Sequence, residues 1–196
     1  RADAALSLRR GKSLVSESQG EVQFTDFGVS GPAVFEISRA AAAGKGNLTL
    51  HLDLLRGLDA ADTMALLRRR RAAMPHLTTE NLLTGILHNR LGRTLLRYAG
   101  YDLTTPLPEL GESDLAAIAA AVHDFALPVQ GTLGFEGAQV TAGGIRTEDF
   151  DPETLQSRLV PGLYAAGEVL DIDGDCGGYN LQWAWSSGRL SGRLLD

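Results

Sequence analysis

Three glycine-rich clusters late in the sequence carry the residue types best suited to hold a large, flat cofactor. They occupy residues 141–145 (TAGGI), 162–168 (GLYAAGE) and 177–181 (GGYNL). The first cluster would bring bare backbone against a ligand, because glycine has no side chain. Glu168, in the second, offers acceptor oxygens to the hydroxyl groups of a sugar or ribityl chain. The third opens a predicted helix whose unpaired N–H groups and positive dipole end favour negative charge.

These clusters belong to residues 160–192, a stretch that predicts a strand, an acidic loop and a helix. Residues 163–166 are a short apolar run between glycines, which is typical of a strand buried on both faces. The helix is expected to begin near Tyr179. The candidate cofactor-binding residues are Ala142, Gly143, Gly144, Gly167, Glu168, Gly177, Gly178, Tyr179, Asn180 and Leu181.

The first third of the sequence is expected to be rich in strands, with one helix. Strands are predicted at residues 14–15, 21–25 and 47–54, where apolar and polar residues alternate. Ser30 is placed to cap a helix over residues 32–43, which begins with a proline and ends before Gly44.

The middle of the sequence changes to a helical pattern. Three helices are predicted, with starts at Asp59 or Asp62, at Thr78 or Thr79, and at Ser113. The second is expected to run as far as Leu96, because leucine and isoleucine recur at three- and four-residue spacing. The third is expected over residues 114–125. Strand and glycine return at 128–145, and Asp151 precedes a single predicted helical turn.

Composition limits the classes of protein that fit this chain. The 196 residues carry a net charge of −6, which argues against a nucleic-acid partner. A single cysteine excludes an internal disulfide framework and is typical of a reducing cytoplasm. No apolar run approaches the roughly 18 residues of a membrane span. We therefore expect a cytoplasmic protein without a membrane partner. Because the chain begins at Arg1 and not at methionine, we also expect a fragment of a longer protein.

The order of the motifs TAGGI, GLYAAGE and GGYNLQ resembles the C-terminal part of bacterial NAD(P)/FAD-dependent oxidoreductases of the aminoacetone oxidase-like flavoprotein family. Upstream, Phe24-Thr25 followed by residues 28–32 (GVSGP) is similar to another motif of that family, so the resemblance spans most of the chain. More distantly, the same stretches resemble the flavoprotein subunits of fumarate reductase and succinate dehydrogenase.

The resemblance implies that Glu168 binds the ribityl hydroxyl groups of FAD. It further implies that Gly143, Gly144 and residues 178–181 lie beside the isoalloxazine ring, where a helix N-terminus stabilises the negative charge of the reduced flavin. Gln139 stands where the fumarate reductase relatives have a substrate-binding histidine, which argues against a dicarboxylate substrate. No GxGxxG motif follows a strand, so the element that seats the FAD pyrophosphate is expected in an absent N-terminal half.

By the same resemblance, the chain combines a β-rich lobe, an inserted helical lobe and the C-terminal strand, loop and helix of an FAD-binding Rossmann-like domain. The predicted boundaries are 1–56 for the first part of the β-rich lobe, 57–126 for the helical lobe, 127–158 for the return of the β-rich lobe, and 159–196 for the FAD-binding part. We expect the isolated fragment to bind FAD weakly and to be inactive.

Other residue patterns favour ordinary structural roles over binding or catalysis. Residues 171–175 imitate a calcium loop, but Cys176 and Gln182 stand where glycine and glutamate are required, so no metal site is predicted. Ser30 lies in an incomplete hydrolase motif and is interpreted as a helix cap. The run of arginines at 68–71 is interpreted as a solvated or ion-paired surface. The histidines, at positions 51, 76, 88 and 123, show no ligand spacing.

The preferred hypothesis is the C-terminal half of an FAD-dependent oxidoreductase that transfers a hydride between flavin and a small organic substrate or NAD(P)H. Its partners would be that substrate and the missing N-terminal half. No catalytic residue is assigned, although His123 and Tyr179 are candidate proton donors. The alternative is a binding or assembly module, without catalysis, on a flavoprotein-derived fold.

Overall fold

Alternation of apolar and polar residues makes the N-terminal part of the chain an antiparallel sheet. The computed structural model describes residues 1–44 and 46–193. The strands are β1 (Ala2–Arg10), β2 (Ser13–Thr25), β3 (Gly28–Ser30), β4 (Leu48–Asp53) and β5 (Phe125–Val129), in the order β3-β2-β1-β4-β5. The strand character predicted at 14–15, 21–25 and 47–54 is confirmed, but the first two runs are parts of the single strand β2, and β1 was not separately predicted.

One face of the sheet forms the core of the first unit. Leu6 and Leu8 of β1 are opposite Leu52 and Leu50 of β4, and all four side chains are buried. The other face presents the polar partners of the same strands, such as the opposed pair Ser7 and His51. This division follows from the two-residue repeat of a strand, and it fixes the register of β1 on β4.

Helix α1 (Pro32–Ala43) begins at the predicted residue, but the prediction of Ser30 as its N-cap is wrong. Gly31, and not Ser30, is the N-cap residue, and no side chain donates or accepts a capping hydrogen bond there. Gly31 has φ of 105°, and a Cβ atom at this position would lie 2.7 Å from the carbonyl oxygen of Glu21. The close approach of α1 to β2 therefore requires glycine, and Ser30 ends β3 instead.

The first predicted helix of the middle segment is confirmed as α2 (Ala60–Ala73), with Asp59 as its cap. Asp59 Oδ1 accepts a hydrogen bond of 2.7 Å from the backbone N–H of Asp62. The predicted helix from Thr78 to Leu96 is wrong in its first half. There the chain forms a 3₁₀ turn at Thr79–Asn81, and α3 (Asn89–Tyr98) begins only after His88.

The contacts of the turn explain why its leucine spacing does not make a helix. Arg70 Nη2 donates to the carbonyl oxygen of Thr84 at 2.7 Å, and the backbone N–H of Thr79 donates to Thr105 O at 2.8 Å. Arg70 thus occupies the carbonyl oxygen of Thr84, which a helix over these residues would pair internally. Gly85 follows with φ of 78°, which is not a helical conformation. The side chains of Leu82 and Leu83 are buried, but they belong to a turn and not to the face of a helix.

Helix α4 covers Glu112–His123, which shifts the predicted helix by two residues at each end. Its N-cap is Gly111, whose backbone N–H donates to Asp114 Oδ2 at 2.7 Å. Ser113 is therefore inside the helix and not its cap. Phe125, which was predicted to be helical, begins β5 instead. Its ring makes an edge-to-face contact with the Tyr98 ring, and the ring centroids are 4.9 Å apart.

Residues 132–193 belong to a second compact unit, Thr132–Asp196, distinct from the first, Arg1–Gly131. It is built from 3₁₀ turns at Phe135–Gly137, Thr147–Asp149 and Gly167–Val169, and from helix α5 (Tyr179–Gly192). Phe150, Leu155 and Leu170 form its small core, with Trp183 and Leu190 of α5 packed against them. Asp151 precedes a turn rather than an assigned helix.

The predicted strand at 163–166 is wrong for the described residues. Only Tyr164 makes a β-bridge, with Gln156, and Leu163 is 47% exposed. A strand buried on both faces needs a neighbouring strand on each side, and among the described residues this run makes one bridge, from Tyr164 to Gln156. By contrast, the helix start at Tyr179 is confirmed.

The mixed α and β character of the chain is confirmed, with an entirely antiparallel sheet in the first unit. The inserted lobe and the boundaries at 56, 126 and 158 remain predictions. Within residues 1–44 and 46–193, no helix combines the length and the apolar character that crossing a bilayer requires.

Candidate cofactor-binding site

The carboxylate of Glu168 joins the first two glycine clusters of the second unit. Its Oε1 accepts a hydrogen bond of 2.7 Å from the backbone N–H of Thr141, which precedes Ala142 and Gly143. Glu168 itself is exposed and lies in the 3₁₀ turn Gly167–Val169, whose first residue is buried. One oxygen of the carboxylate thus holds the glycine-rich loop, and Oε2 is the acceptor left for a ligand.

Gly144 brings this loop against the backbone of the second cluster. Ile145 forms a bridge with Leu170, in which Ile145 N donates to Val169 O at 2.8 Å and Asp171 N donates to Ile145 O at 2.9 Å. A Cβ on Gly144 would lie 2.7 Å from Val169 O. No side chain fits at this contact, so the glycine is required for it.

Helix α5 fixes the turn that carries Glu168. The backbone N–H of Gly167 donates to Ser187 Oγ at 2.9 Å, and Trp183 Nε1 donates to Gly167 O at 3.1 Å. The Ser187 hydroxyl in turn donates to Trp183 O at 2.6 Å, and Ser187 is 1% exposed. Both polar groups of Gly167 are therefore satisfied by one face of α5. No local pattern in the sequence indicates this polar role of Ser187.

Replacing Ser187 by alanine should destabilise the second unit by about 1–3 kcal/mol, because it leaves the buried N–H of Gly167 without an acceptor. Amide exchange in the segment around Gly167 should accelerate in parallel. The matched control is Ser186→Ala, since Ser186 is exposed, and its effect should stay within about 0.5 kcal/mol. Equal unfolding midpoints for the two variants would contradict the assigned role of Ser187.

The third cluster forms the start of α5. Gly178 is the N-cap residue in the left-handed conformation, with φ of 94°. The helical ladder begins with Gln182 N, which donates to Gly178 O at 2.9 Å. Within residues 132–193, the preceding amides of Tyr179, Asn180 and Leu181 have no backbone acceptor assigned, as expected at a helix start.

Asn180 has a structural task that the sequence did not reveal. Its Oδ1 accepts from Gly174 N at 2.8 Å, and its Nδ2 donates to Gly174 O at 3.0 Å. The Asn180 side chain therefore holds the acidic loop, at Gly174, next to the start of α5. Tyr179 and Leu181, by contrast, are 65% and 69% exposed and remain available to a ligand or a partner.

Negative charge dominates this unit. Residues 132–196 contain ten carboxylate side chains and four arginines. Asp151 is part of this set, and hydrogen bonds from the backbone N–H of Glu153 lead the causes that lower its pKa. Asp173 and Asp175 precede the start of α5. Such surroundings oppose the multiple negative charges of a diphosphate at this helix.

Two of the candidate histidines lie in the first unit and make hydrogen bonds within it. His123 Nδ1 meets Asp53 Oδ1 at 3.0 Å, and His123 Nε2 meets the buried Thr63 hydroxyl at 2.8 Å. His51 pairs with Asp124 on the polar face of the sheet. Across the described ranges, no three histidine, cysteine or acidic side chains converge as metal ligands.

Comparisons with known proteins extend these observations. The family described as "HI0933-like protein Rossmann domain" matches residues 17–194. A 3-dehydro-bile acid delta(4,6)-reductase from Clostridium scindens is 38% identical over 98% of this chain and 48% of the relative.

Two further relatives are named ribosomal RNA dihydrouridine synthase. The protein from Escherichia coli is 37% identical over 84% of this chain and 39% of the relative. The protein from Haemophilus influenzae is 30% identical over 85% of this chain and 40% of the relative. The chain therefore spans less than half the length of the curated relatives that it matches.

Proposed function

Because the chain belongs to the HI0933-like protein Rossmann domain family, we propose that its second unit supplies one wall of the flavin site of an FAD-dependent oxidoreductase. The observation that carries the proposal is the meeting of the first two clusters, where Glu168 Oε1 accepts from Thr141 N at 2.7 Å. That contact joins the Glu168 carboxylate to the loop that contains Gly143 and Gly144, two residues without side chains. The narrower likeness to aminoacetone oxidase-like enzymes remains a prediction.

The residues of the second unit suit the binding of FAD. Glu168 Oε2 would accept from ribityl hydroxyl groups, and the bare Gly143 would let the ring lie against the loop. The amides of Tyr179 and Asn180, at the start of α5, would face its pyrimidine edge, since a helix start favours partial negative charge. Bound FAD would supply the capacity to accept or donate a hydride.

The names of the relatives suggest a reaction class. A 3-oxo steroid with a double bond at carbon 4, and the uracil ring of uridine, both contain an alkene conjugated to a carbonyl group. We propose that the whole protein reduces such an alkene: a hydride adds to the carbon distant from the carbonyl, and a proton adds to the nearer carbon. NAD(P)H is the proposed source of the electrons.

We propose that the remaining part of the FAD-binding domain covers the outer face of α5. Leu181 and Trp185 lie on this face with Gly188 and Gly192, at positions i, i+4, i+7 and i+11. Leu181 is 69% exposed and Trp185 is 77% exposed. The two glycines leave a smooth surface, which allows a close approach of a sheet or helix.

The test uses the intact protein, purified and then reconstituted with FAD. We expect flavin absorbance, bleaching of that absorbance by NAD(P)H without oxygen, and its recovery when a conjugated enone or uridine-containing RNA is added. An intact, folded protein that remains colourless after reconstitution would contradict the proposal. That outcome would favour the binding-module alternative.

A further inference from the structure

The reduction of a conjugated alkene, the reaction proposed for the whole protein, consumes one proton as well as one hydride. The hydride adds to the carbon distant from the carbonyl group, and the electrons of the double bond move toward the carbonyl oxygen. The enolate that results accepts a proton at the nearer carbon. A side chain with an acidic proton has to reach that carbon, and general acids of this kind contribute about 10²–10⁴-fold to a rate.

The histidines do not meet this need. All four lie in the first unit, outside the three glycine clusters. His123, a candidate donor from the sequence, has both ring nitrogens engaged, with Asp53 Oδ1 at 3.0 Å and with the hydroxyl group of Thr63 at 2.8 Å. Thr63 is buried. His123 therefore links β4, α2 and α4 as part of the structure of the first unit.

The four tyrosines of the chain differ in how far their own surroundings use them. The Tyr98 ring packs edge-on against another ring, the Tyr101 hydroxyl donates to Asp114 Oδ1 at 3.1 Å, and Tyr164 is half-buried in a β-bridge. Tyr179 is 65% exposed, and in the part of the chain that the structure describes no partner is assigned to its hydroxyl group. Its phenol O–H is therefore open to a ligand at the candidate site.

The ring of Tyr179 is seated against glycines of the acidic loop. A Cβ atom at Gly174 would lie 3.0 Å from the Cβ of Tyr179, and one at Gly177 would lie 3.7 Å from Cε2 of its ring. Asn180 holds the same loop, because its side chain accepts from Gly174 N at 2.8 Å and donates to Gly174 O at 3.0 Å. The ring therefore has a defined place at the start of α5, although its hydroxyl group is exposed.

We propose that Tyr179 is the proton donor of this reduction. It is the first residue of α5, and the amides of this helix start are those proposed to face the flavin. In the step, the O–H bond of Tyr179 breaks as its proton bonds to the carbon next to the carbonyl group. Water returns a proton to the tyrosinate, so one NAD(P)H and one solvent proton are consumed for each alkene. The inference rests on the proposed function and adds the acid that the reaction requires.

Other polar side chains near the glycine clusters suit this role less well. The Glu168 carboxylate accepts from Thr141 N–H and is the proposed acceptor for the ribityl hydroxyl groups, and both tasks require it to be ionised. The amide of Asn180 is not an acid, and it is bonded to the loop. Cys176 is exposed and lies three residues before Tyr179, so its thiol is the rival donor that the experiment has to separate.

The test compares Tyr179→Phe with the unmodified protein, both intact and reconstituted with FAD. The variant keeps the ring and loses only the hydroxyl group. Its Kd for FAD, measured by flavin fluorescence, and the rate at which NAD(P)H bleaches the flavin without oxygen should be unchanged. Recovery of the flavin absorbance on addition of a conjugated cyclic enone should slow about 100-fold, because that step alone needs the proton. The enone concentration that gives half the maximal rate should stay the same, since the hydroxyl group acts in the transition state.

The matched control is Tyr98→Phe, which removes the same group from an exposed tyrosine of the first unit and should behave like the unmodified protein. The proposal is overturned if Tyr179→Phe is reoxidised by the enone at the normal rate, if Cys176→Ala shows the loss instead, or if Tyr179→Phe also loses FAD or its bleaching by NAD(P)H.

The failure of the proposed function is a different result. In that case the unmodified protein itself does not bind FAD or is not bleached by NAD(P)H, and the role of Tyr179 falls with it. If the unmodified protein completes both steps and Tyr179→Phe matches it, only the assignment of the proton donor fails.

Discussion

Replacement of Gly144 by alanine is expected to destabilise the second unit by about 2–4 kcal/mol. Gly144 has φ of 152°, and a Cβ there would lie within 2.8 Å of Val169 O, Asp171 N and the carbonyl carbon of Leu170. All three are backbone atoms and cannot rotate away. The two hydrogen bonds between Ile145 and its bridge partners would therefore lengthen or break. Amide exchange at Ile145 and Asp171 should accelerate, and the unfolding midpoint should fall.

The matched control is Gly143→Ala. Gly143 also has a positive φ, of 95°, but no atom lies within 4 Å of the added Cβ. It should cost about 1–2 kcal/mol, which is the backbone strain alone. The difference between the two variants measures the close contact at Gly144. If they were equally stable, the backbone contact between the first and second clusters would have no energetic importance.

Local signals account for the elements that the sequence predicted well. β4 follows from strict alternation of residues, α1 from Pro32 and Gly44, and α2 from the Asp59 cap. Each signal acts within a few residues, so no knowledge of the rest of the chain is needed. The same applies to the start of α5 at Tyr179, which follows directly from two glycines.

The failures have long-range causes. Residues 78–87 carry a helical spacing, but Arg70 binds the carbonyl oxygen of Thr84, which a helix would pair internally. Residues 163–166 have the composition of a buried strand, which needs neighbours that the described unit lacks. Tertiary contacts therefore outweighed the local pattern in both places.

The candidate site shows the same division. The sequence indicated Glu168 and the paired glycines from their types and order. It did not indicate that Thr141 N–H lies 2.7 Å from the carboxylate or that Ser187 accepts from Gly167 N–H at 2.9 Å. These contacts join residues 27 and 20 positions apart. They depend on how the loop closes on α5, which no local pattern specifies.

Glu168→Ala in the intact protein is expected to raise the Kd for FAD roughly 10- to 100-fold, as loss of a charged hydrogen-bonding group of this kind costs about 1.5–3 kcal/mol. Two effects contribute: the ribityl acceptor is lost, and Thr141 N–H loses its partner, so the glycine loop is less well held. Glu168→Gln keeps one neutral acceptor oxygen for Thr141, and it should raise the Kd by a smaller factor, roughly 3- to 10-fold. Equilibrium titration of the reconstituted proteins, followed by flavin fluorescence, measures these constants.

The control for charge is Glu153→Ala, which removes an exposed carboxylate from the same unit. Its FAD affinity should equal that of the unmodified protein. The order of affinities then separates the two tasks of Glu168. If the Gln variant binds almost normally and the Ala variant does not, holding the loop is the larger effect. If both lose affinity equally, the negative charge itself is what the ligand requires. If both bind FAD normally, the wall formed by Glu168 and Gly144 serves a different ligand.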